Sequence, residues 1–365
     1  MTRMTLHEAF HLNPKVSLSK GTVAPFVDMA TLRPFTRDVR ATVKKTYSGG
    51  TKFLNGDVLM ARITPSLENG KTSIYRAAPG FTGPAFGSTE FIVIRGREGV
   101  SDSLFAYYIF TSDKVREYAI SSMNGSSGRQ RVQPDSLATF QFDLPPLDKQ
   151  RAIAATLGAL DDKIESNRRA CDLLWSLIWA SWEMLTGEAS VRPLGDVLEL
   201  VYGKSLPAVK RTHGSVPVYG SNGITGWHND PLVAGPVVVV GRKGSIGEVH
   251  WSHVSAFPID TTFYVRSRDD YPLVACYLAL RKAGLQSMNS DSAIPGLNRE
   301  RALQVGVPLP VLREATAWAR NANLLVTQVE AIEEQTVTLE TLRNDLLPEL
   351  ISGRIHVPTA AEVMS

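Results

Sequence analysis

From residue 153 to residue 185 apolar side chains recur at alternating steps of four and three. The positions are Ile153, Leu157, Leu160, Ile164, Asn167, Cys171, Leu174, Ile178, Ser181 and Leu185, a heptad seam with no internal proline. The stretch opens on "LPPLDKQ", where a Pro-Pro step ends the preceding segment and Asp148 suits the positive end of a helix dipole. It closes on "LTGE", where a glycine can take the left-handed cap conformation. The pattern predicts a long helix near 148–186 that needs a partner helix.

The partner lies in the same chain. Shifted by 165 residues, "LPPLDKQRAIAATLGALDDKIESN" falls on "LPVLREATAWARNANLLVTQVEAI" and predicts a second helix near 313–350, ending at "LISGRI". Its seam runs Trp318, Ala322, Leu325, Val329, Ile332, Thr336, Leu339, Arg343, Leu346 and Leu350. Antiparallel pairing would set Ile153, Leu157, Leu160, Ile164, Asn167 and Leu174 against Leu325, Val329, Ile332 and Leu339, with Asn167 placed to pin the register. The flanking globular regions repeat as well. "GDVLMARITPS" (56–66) resembles "GPVVVVGRKGS" (235–245), and "AFGSTEFIVIRG" (85–96) resembles "AFPIDTTFYVRS" (256–267). "SLFAYYIFTS" (103–112) and "PLVACYLALR" (272–281) are matching aromatic helix candidates. "VYGSNGITG" has no clear copy in the first half. The chain reads as an internal duplication: a globular region over 1–145, a helix over 146–190, a second globular region over 191–310, a second helix over 311–355 and a tail over 356–365.

Charge separates these pieces. Residues 1–145 carry 18 basic and 12 acidic residues, and 191–310 carry 12 and 9. The helical segments are acidic, 5 against 7 over 146–190 and 4 against 8 over 311–365. A total of +3 thus hides two basic globular regions, which suits contact with a polyanion. No run approaches the roughly 20 apolar residues of a membrane span, and the first residues lack a secretory apolar core. Cys171 and Cys276 have no metal-ligand spacing and read as small core residues of a chain in a reducing cytosol. "GRKGSIG" (241–247) lacks the Lys-Ser/Thr step of a phosphate-cradling loop and runs into strand-like "EVHW". The one Pro-Pro step is followed by Leu147, not by an aromatic as in an amino-methyltransferase motif, and the seven histidines form no zinc pattern. No catalytic arrangement and no metal site is expected.

"LPPLDKQRAIAATLGALDDKIESNRR", "PVYGSNGITGWHND", "VVVVGRKGSIGEVHW", "FPIDTTFYV", "PGLNRERALQVGVPLPVL" and "LLPELISGRI" together resemble the specificity subunits of type I restriction-modification systems, in the family's order and over essentially the whole chain. The resemblance implies an α+β/α/β fold: two target-recognition domains separated by two long antiparallel coiled-coil helices, related by a pseudo-twofold internal repeat. It implies a subunit without its own active site that reads a split site in double-stranded DNA. Two methyltransferase subunits, and restriction or translocase subunits through them, are the implied partners in the cytoplasm. S-adenosylmethionine would belong to the methyltransferases, with no cofactor in this chain. The other class to be weighed is a coiled-coil protein-binding scaffold of a phage-defence assembly.

Base reading needs donors on turns, with arginine suited to guanine and Asn or Gln to adenine. In the second globular region the candidates are Tyr219, Ser221 and Asn222, then Arg242, Lys243 and Ser245, then Asn298 and Arg299. In the first they are Arg62, Thr64, Ser66 and Lys71, then Arg129, Gln130 and Arg131. Asp260 reads as a turn residue.

Overall fold

The computed structural model describes residues 1–125, 130–288, 296–359 and 362. The chain divides into two compact units, residues 1–166 with 336–365 and residues 167–335. Each unit combines one globular region with half of each long helix. The first long helix is Leu147–Thr186 and the second Leu312–Ser352, the latter running through Pro348.

In unit 1 a five-stranded sheet has the order Phe10–Leu12, Phe91–Gly96, Val58–Ala61, Thr72–Tyr75, Asp38–Val39. Val58–Ala61 is buried at every position, so its sequence shows no alternation. Helix Ser103–Thr111, capped by the Asp102 carboxylate, buries Phe105 through Phe110 in the same core as Ile92 and Ile94. A second sheet has the order Val43–Thr46, Val23–Val27, Ala85–Gly87, Thr51–Phe53. Unit 2 repeats the plan in smaller form. Its main sheet runs Leu198–Tyr202, Thr262–Ser267, Val237–Gly241, Val249–Ser252, and helix Leu273–Lys282 packs in its core. Its second sheet is Gly223–His228, Val216–Gly220, Phe257–Pro258. The parallel pairing of Phe26 with Phe86 recurs as Val218 with Phe257. Most other pairs are antiparallel, which puts the globular regions at the α+β end of the expected range.

Strand register corrects one detail of the repeat. Phe91 pairs with Ala61, and its counterpart Thr262 pairs with Gly241. The offset is therefore 180 residues here, not the 179 that an ungapped match of the two apolar runs suggests. Arg62 then falls on Arg242. Their backbones agree: Arg62 N–H donates to the Glu90 carbonyl at 3.0 Å and Arg242 N–H to that of Thr261 at 2.9 Å. Their carbonyls accept from Val132 and Leu297, each at 2.8 Å.

Within each unit the two long helices are antiparallel. In unit 1 Asp161 meets Arg343, and Leu350 shares the core of Ile153 and Leu157. In unit 2 Asn167 donates to the Gln335 side chain at 3.0 Å, the Cys171 thiol faces the Val329 carbonyl, and Trp318 donates to Ser181. Ile153, Leu157, Ile164, Asn167 and Val329 are buried, whereas Leu160, Leu174, Leu325, Ile332 and Leu339 are half-buried. Gln150 ties the start of the first long helix to unit 1 by donating to the carbonyls of Val100 and Pro145 and accepting from Asp102 N–H. Its counterpart, Ala315, is buried and can make no such bond, and in unit 2 the Tyr271 hydroxyl donates to the Pro310 carbonyl instead. That substitution accounts for the last position at which "PPLDKQ" and "PVLREA" differ.

Candidate nucleic-acid interface

In unit 2 two loops far apart in sequence come together. Strands Val216–Gly220 and Gly223–His228 form a hairpin whose turn carries Ser221 and Asn222, and Gly223 has φ +98°, a conformation that side chains disfavour. The turn lies against residues 241–247. Ser245 donates to the Asn222 side-chain oxygen at 3.5 Å, and His250 Nε2 donates to the Ser221 carbonyl at 3.2 Å. A side chain at Gly241 would collide with the Ser245 carbonyl, so only glycine permits this approach. Lys243 and Asn222 are exposed. The Arg242 guanidinium donates to the Asp260 carbonyl at 2.8 Å and stands 5.3 Å from the ring centre of Tyr202. Arg299 approaches the same ring at 5.6 Å and pairs with Glu300. Tyr202, half exposed between two arginines, was not singled out from sequence, because a lone aromatic at a strand end carries no signal there.

Two candidates take other places. Tyr219 is only 6% exposed and packs with Val237, Val239 and Ala256, because the turn of the strand directs its ring inward. Asn298 caps helix Arg299–Leu303, its side-chain oxygen accepting from Arg301 N–H at 2.9 Å.

Unit 1 also brings its two candidate stretches together. Thr64 N–H donates to the Gln130 carbonyl at 3.0 Å, and Ile63 bridges Arg131. Arg62 reaches the Gln133 side chain at 3.4 Å, and its Nε is buried without a hydrogen-bond partner. Thr64 Oγ1 points to Met123 sulfur, and Ser66 is half-buried. Lys71 is committed locally, donating to the Met29 carbonyl at 2.9 Å. Arg129 lies outside the described residues. Arg131 forms a two-pronged pair with Glu90, whose carboxyl is held below the usual range by the hydrogen bonds from Arg131, against the opposing effect of burial. A carboxyl held low stabilises the folded chain at neutral pH and loses that contribution as acid protonates it. Glu90→Gln should therefore destabilise unit 1 at neutral pH and converge with the unsubstituted chain below about pH 4. Urea melts across pH measure this, and a constant difference at every pH would contradict it.

Among the described residues no three His, Cys, Asp or Glu side chains gather where they could hold a metal ion, and no helix is long and apolar enough to cross a membrane. A family described as the type I restriction modification DNA specificity domain matches residues 13–171 and again 187–341. The chain belongs to that family. Each match to the specificity domain spans a globular region and the first portion of its long helix. Among relatives, the specificity subunit of type I restriction enzyme EcoEI from Escherichia coli is 30% identical over 168 residues, which are 43% of this chain and 27% of that one. This chain therefore covers little more than a quarter of that relative. A putative type I restriction enzyme MjaX specificity subunit from Methanocaldococcus jannaschii is 17% identical over 344 residues, 84% of this chain and 80% of that one. A crystal structure of the S subunit of a type I restriction-modification system from M. genitalium has the same fold. Its TM-score is 0.57 at 18% identity, covering 96% of this chain and 95% of that chain.

Proposed function

We propose that the chain is the non-catalytic DNA specificity subunit of a type I restriction-modification complex in the cytoplasm. Each globular region, residues 1–145 and residues 191–310, reads one half of a bipartite site in double-stranded DNA. Two methyltransferase subunits, one per repeat, dock on the long helices and supply S-adenosylmethionine and the methylation chemistry, and restriction or translocase subunits join through them. The observation that carries this reading is the equivalence of Arg62 and Arg242. Each stands directly after a fully buried strand, its backbone clamped on both sides, with neighbouring turns that carry Ser66 and Gln130 in one unit and Asn222, Lys243 and Ser245 in the other. A clamped backbone fixes where an arginine begins, which a bidentate reader of guanine requires. A 40-residue helix spans about 60 Å at 1.5 Å per residue, enough to fix an unread interval of more than one DNA turn of about 34–36 Å.

Salt dependence tests the reading. Duplex affinity of the full chain should fall linearly in a log–log plot, with a slope of about −0.9 for each phosphate neutralised. A flat response would overturn it in favour of a protein-binding scaffold.

A further inference from the structure

Unit 1 contains a cleft of about 740 Å³ that the repeat does not explain. Lys15 and Ser17 from the segment after Phe10–Leu12, Thr51 and Lys52 from Thr51–Phe53, Arg62 and Thr89 line it, and among the described residues no Asp or Glu does. Among the described residues none of its three cations is in a salt bridge. The Glu90 carboxylate, which Arg62 influences electrostatically, is bonded by both prongs of Arg131. The Arg62 guanidinium itself reaches, among the described residues, only the Gln133 side chain, at 3.4 Å. Lys15 and Lys52, with hydroxyls from Ser17, Thr51 and Thr89, make a cradle for a multiply charged oxyanion beside the arginine proposed to read a base. The volume exceeds that of a single phosphate and suits a short run of backbone.

The described residues of unit 2 do not repeat the elements that build it. Register places Gly203 where unit 1 has Lys15, since Leu12 faces Ile94 as Leu200 faces Val265. Among the described residues no strand of unit 2 corresponds to Thr51–Phe53, because its second sheet stops at Phe257–Pro258.

We infer that this cleft seats phosphodiester groups of the DNA strand next to the half-site read by unit 1, giving that half a sequence-independent grip that the other half lacks. The inference rests on the DNA-reading function proposed above. Sequence offered little to find it: the three cations are separated by 37 and 10 positions, in a loop, a short strand and a turn.

The test uses the full chain and duplex DNA at about 50–200 mM salt. Lys15→Gln with Lys52→Gln should make the log–log salt slope shallower by about 1.8, two contacts at about 0.9 each, and should weaken intact and scrambled duplexes by the same factor. Lys15→Arg with Lys52→Arg should keep the original slope, which separates lost charge from lost folding. An unchanged slope in the glutamine variant overturns the inference while leaving DNA reading intact. Absence of DNA binding by the unsubstituted chain would instead overturn the DNA-reading function and the inference with it. Adenosine monophosphate binding that the glutamine variant loses, with its DNA slope unchanged, would assign the cleft to a free nucleotide and overturn the DNA contact.

Discussion

Asp161→Ala should cost unit 1 about 3–5 kcal/mol, the range for removing one partner of a buried ion pair. The Asp161 side chain is 4% exposed and that of Arg343 11%. One carboxylate oxygen accepts from Arg343 at 2.7 Å and the other from the Tyr108 hydroxyl at 2.7 Å. Burial acts against the charge on Arg343 and Asp161 supports it; an arginine is too basic to neutralise at ordinary pH, so the guanidinium stays charged when its partner is removed. The alanine variant would strand that cation and a hydroxyl in a buried site. Substituting both ends, Asp161→Leu with Arg343→Met, should be much milder, because apolar replacements of a whole buried pair are often neutral or stabilising. Urea unfolding followed by far-ultraviolet circular dichroism measures the loss. All six tryptophans (175, 179, 182, 227, 251 and 318) belong to unit 2, so their emission follows that unit separately and should shift less. A loss below about 1 kcal/mol in the alanine variant would contradict the pair's structural role.

The long helices and the duplication were legible because heptad spacing and the Leu-Pro start repeat at a constant interval. Ile153 and Leu350 stand where antiparallel seams place them, whereas Asn167 finds its partner one position off the second seam, at Gln335. Arg343 looked like a break in an apolar seam. Its reason lay on the other helix, at Asp161, one position beyond the seam residue Leu160, and a one-dimensional pattern cannot pair two such exceptions. Strand register was hidden for a different reason. "VLMA" and "VVVVG" are buried on both faces, and a run without alternation carries no phase, so a one-residue slip leaves the sequence match equally good. The missing copy of "VYGSNGITG" also has a structural origin. In unit 2 the strand Val216–Gly220 turns directly into its partner, whereas in unit 1 Val23–Val27 reaches its partner Val43–Thr46 only after an intervening loop. The pairing is kept while the turn that gave the motif its residues is gone. For the interface, basic turn residues were easy to name. Burial and local bonds, which set Tyr219, Asn298 and Lys71 apart from Arg62, Arg242 and Lys243, depend on neighbours distant in sequence.

The central claim is that the two units read different halves of one site, and paired arginine substitutions test it most directly. The Arg242 guanidinium is already oriented by the Asp260 carbonyl and the Tyr202 ring, so little side-chain freedom remains to be lost on binding. Arg62 stands at the equivalent backbone position with a guanidinium N–H unsatisfied. Removal of a base-reading arginine costs about 1–3 kcal/mol, or roughly 5- to 150-fold in affinity, and relaxes preference at the base it reads. The measurement is the affinity of the unsubstituted chain, Arg62→Ala and Arg242→Ala for a duplex selected from a random pool, and for versions with either half scrambled. Each substitution should lose affinity only for duplexes that retain its own half, and the two losses should add in the double variant. Loss of discrimination at the same half by both substitutions, or at both halves by either one, would contradict the account.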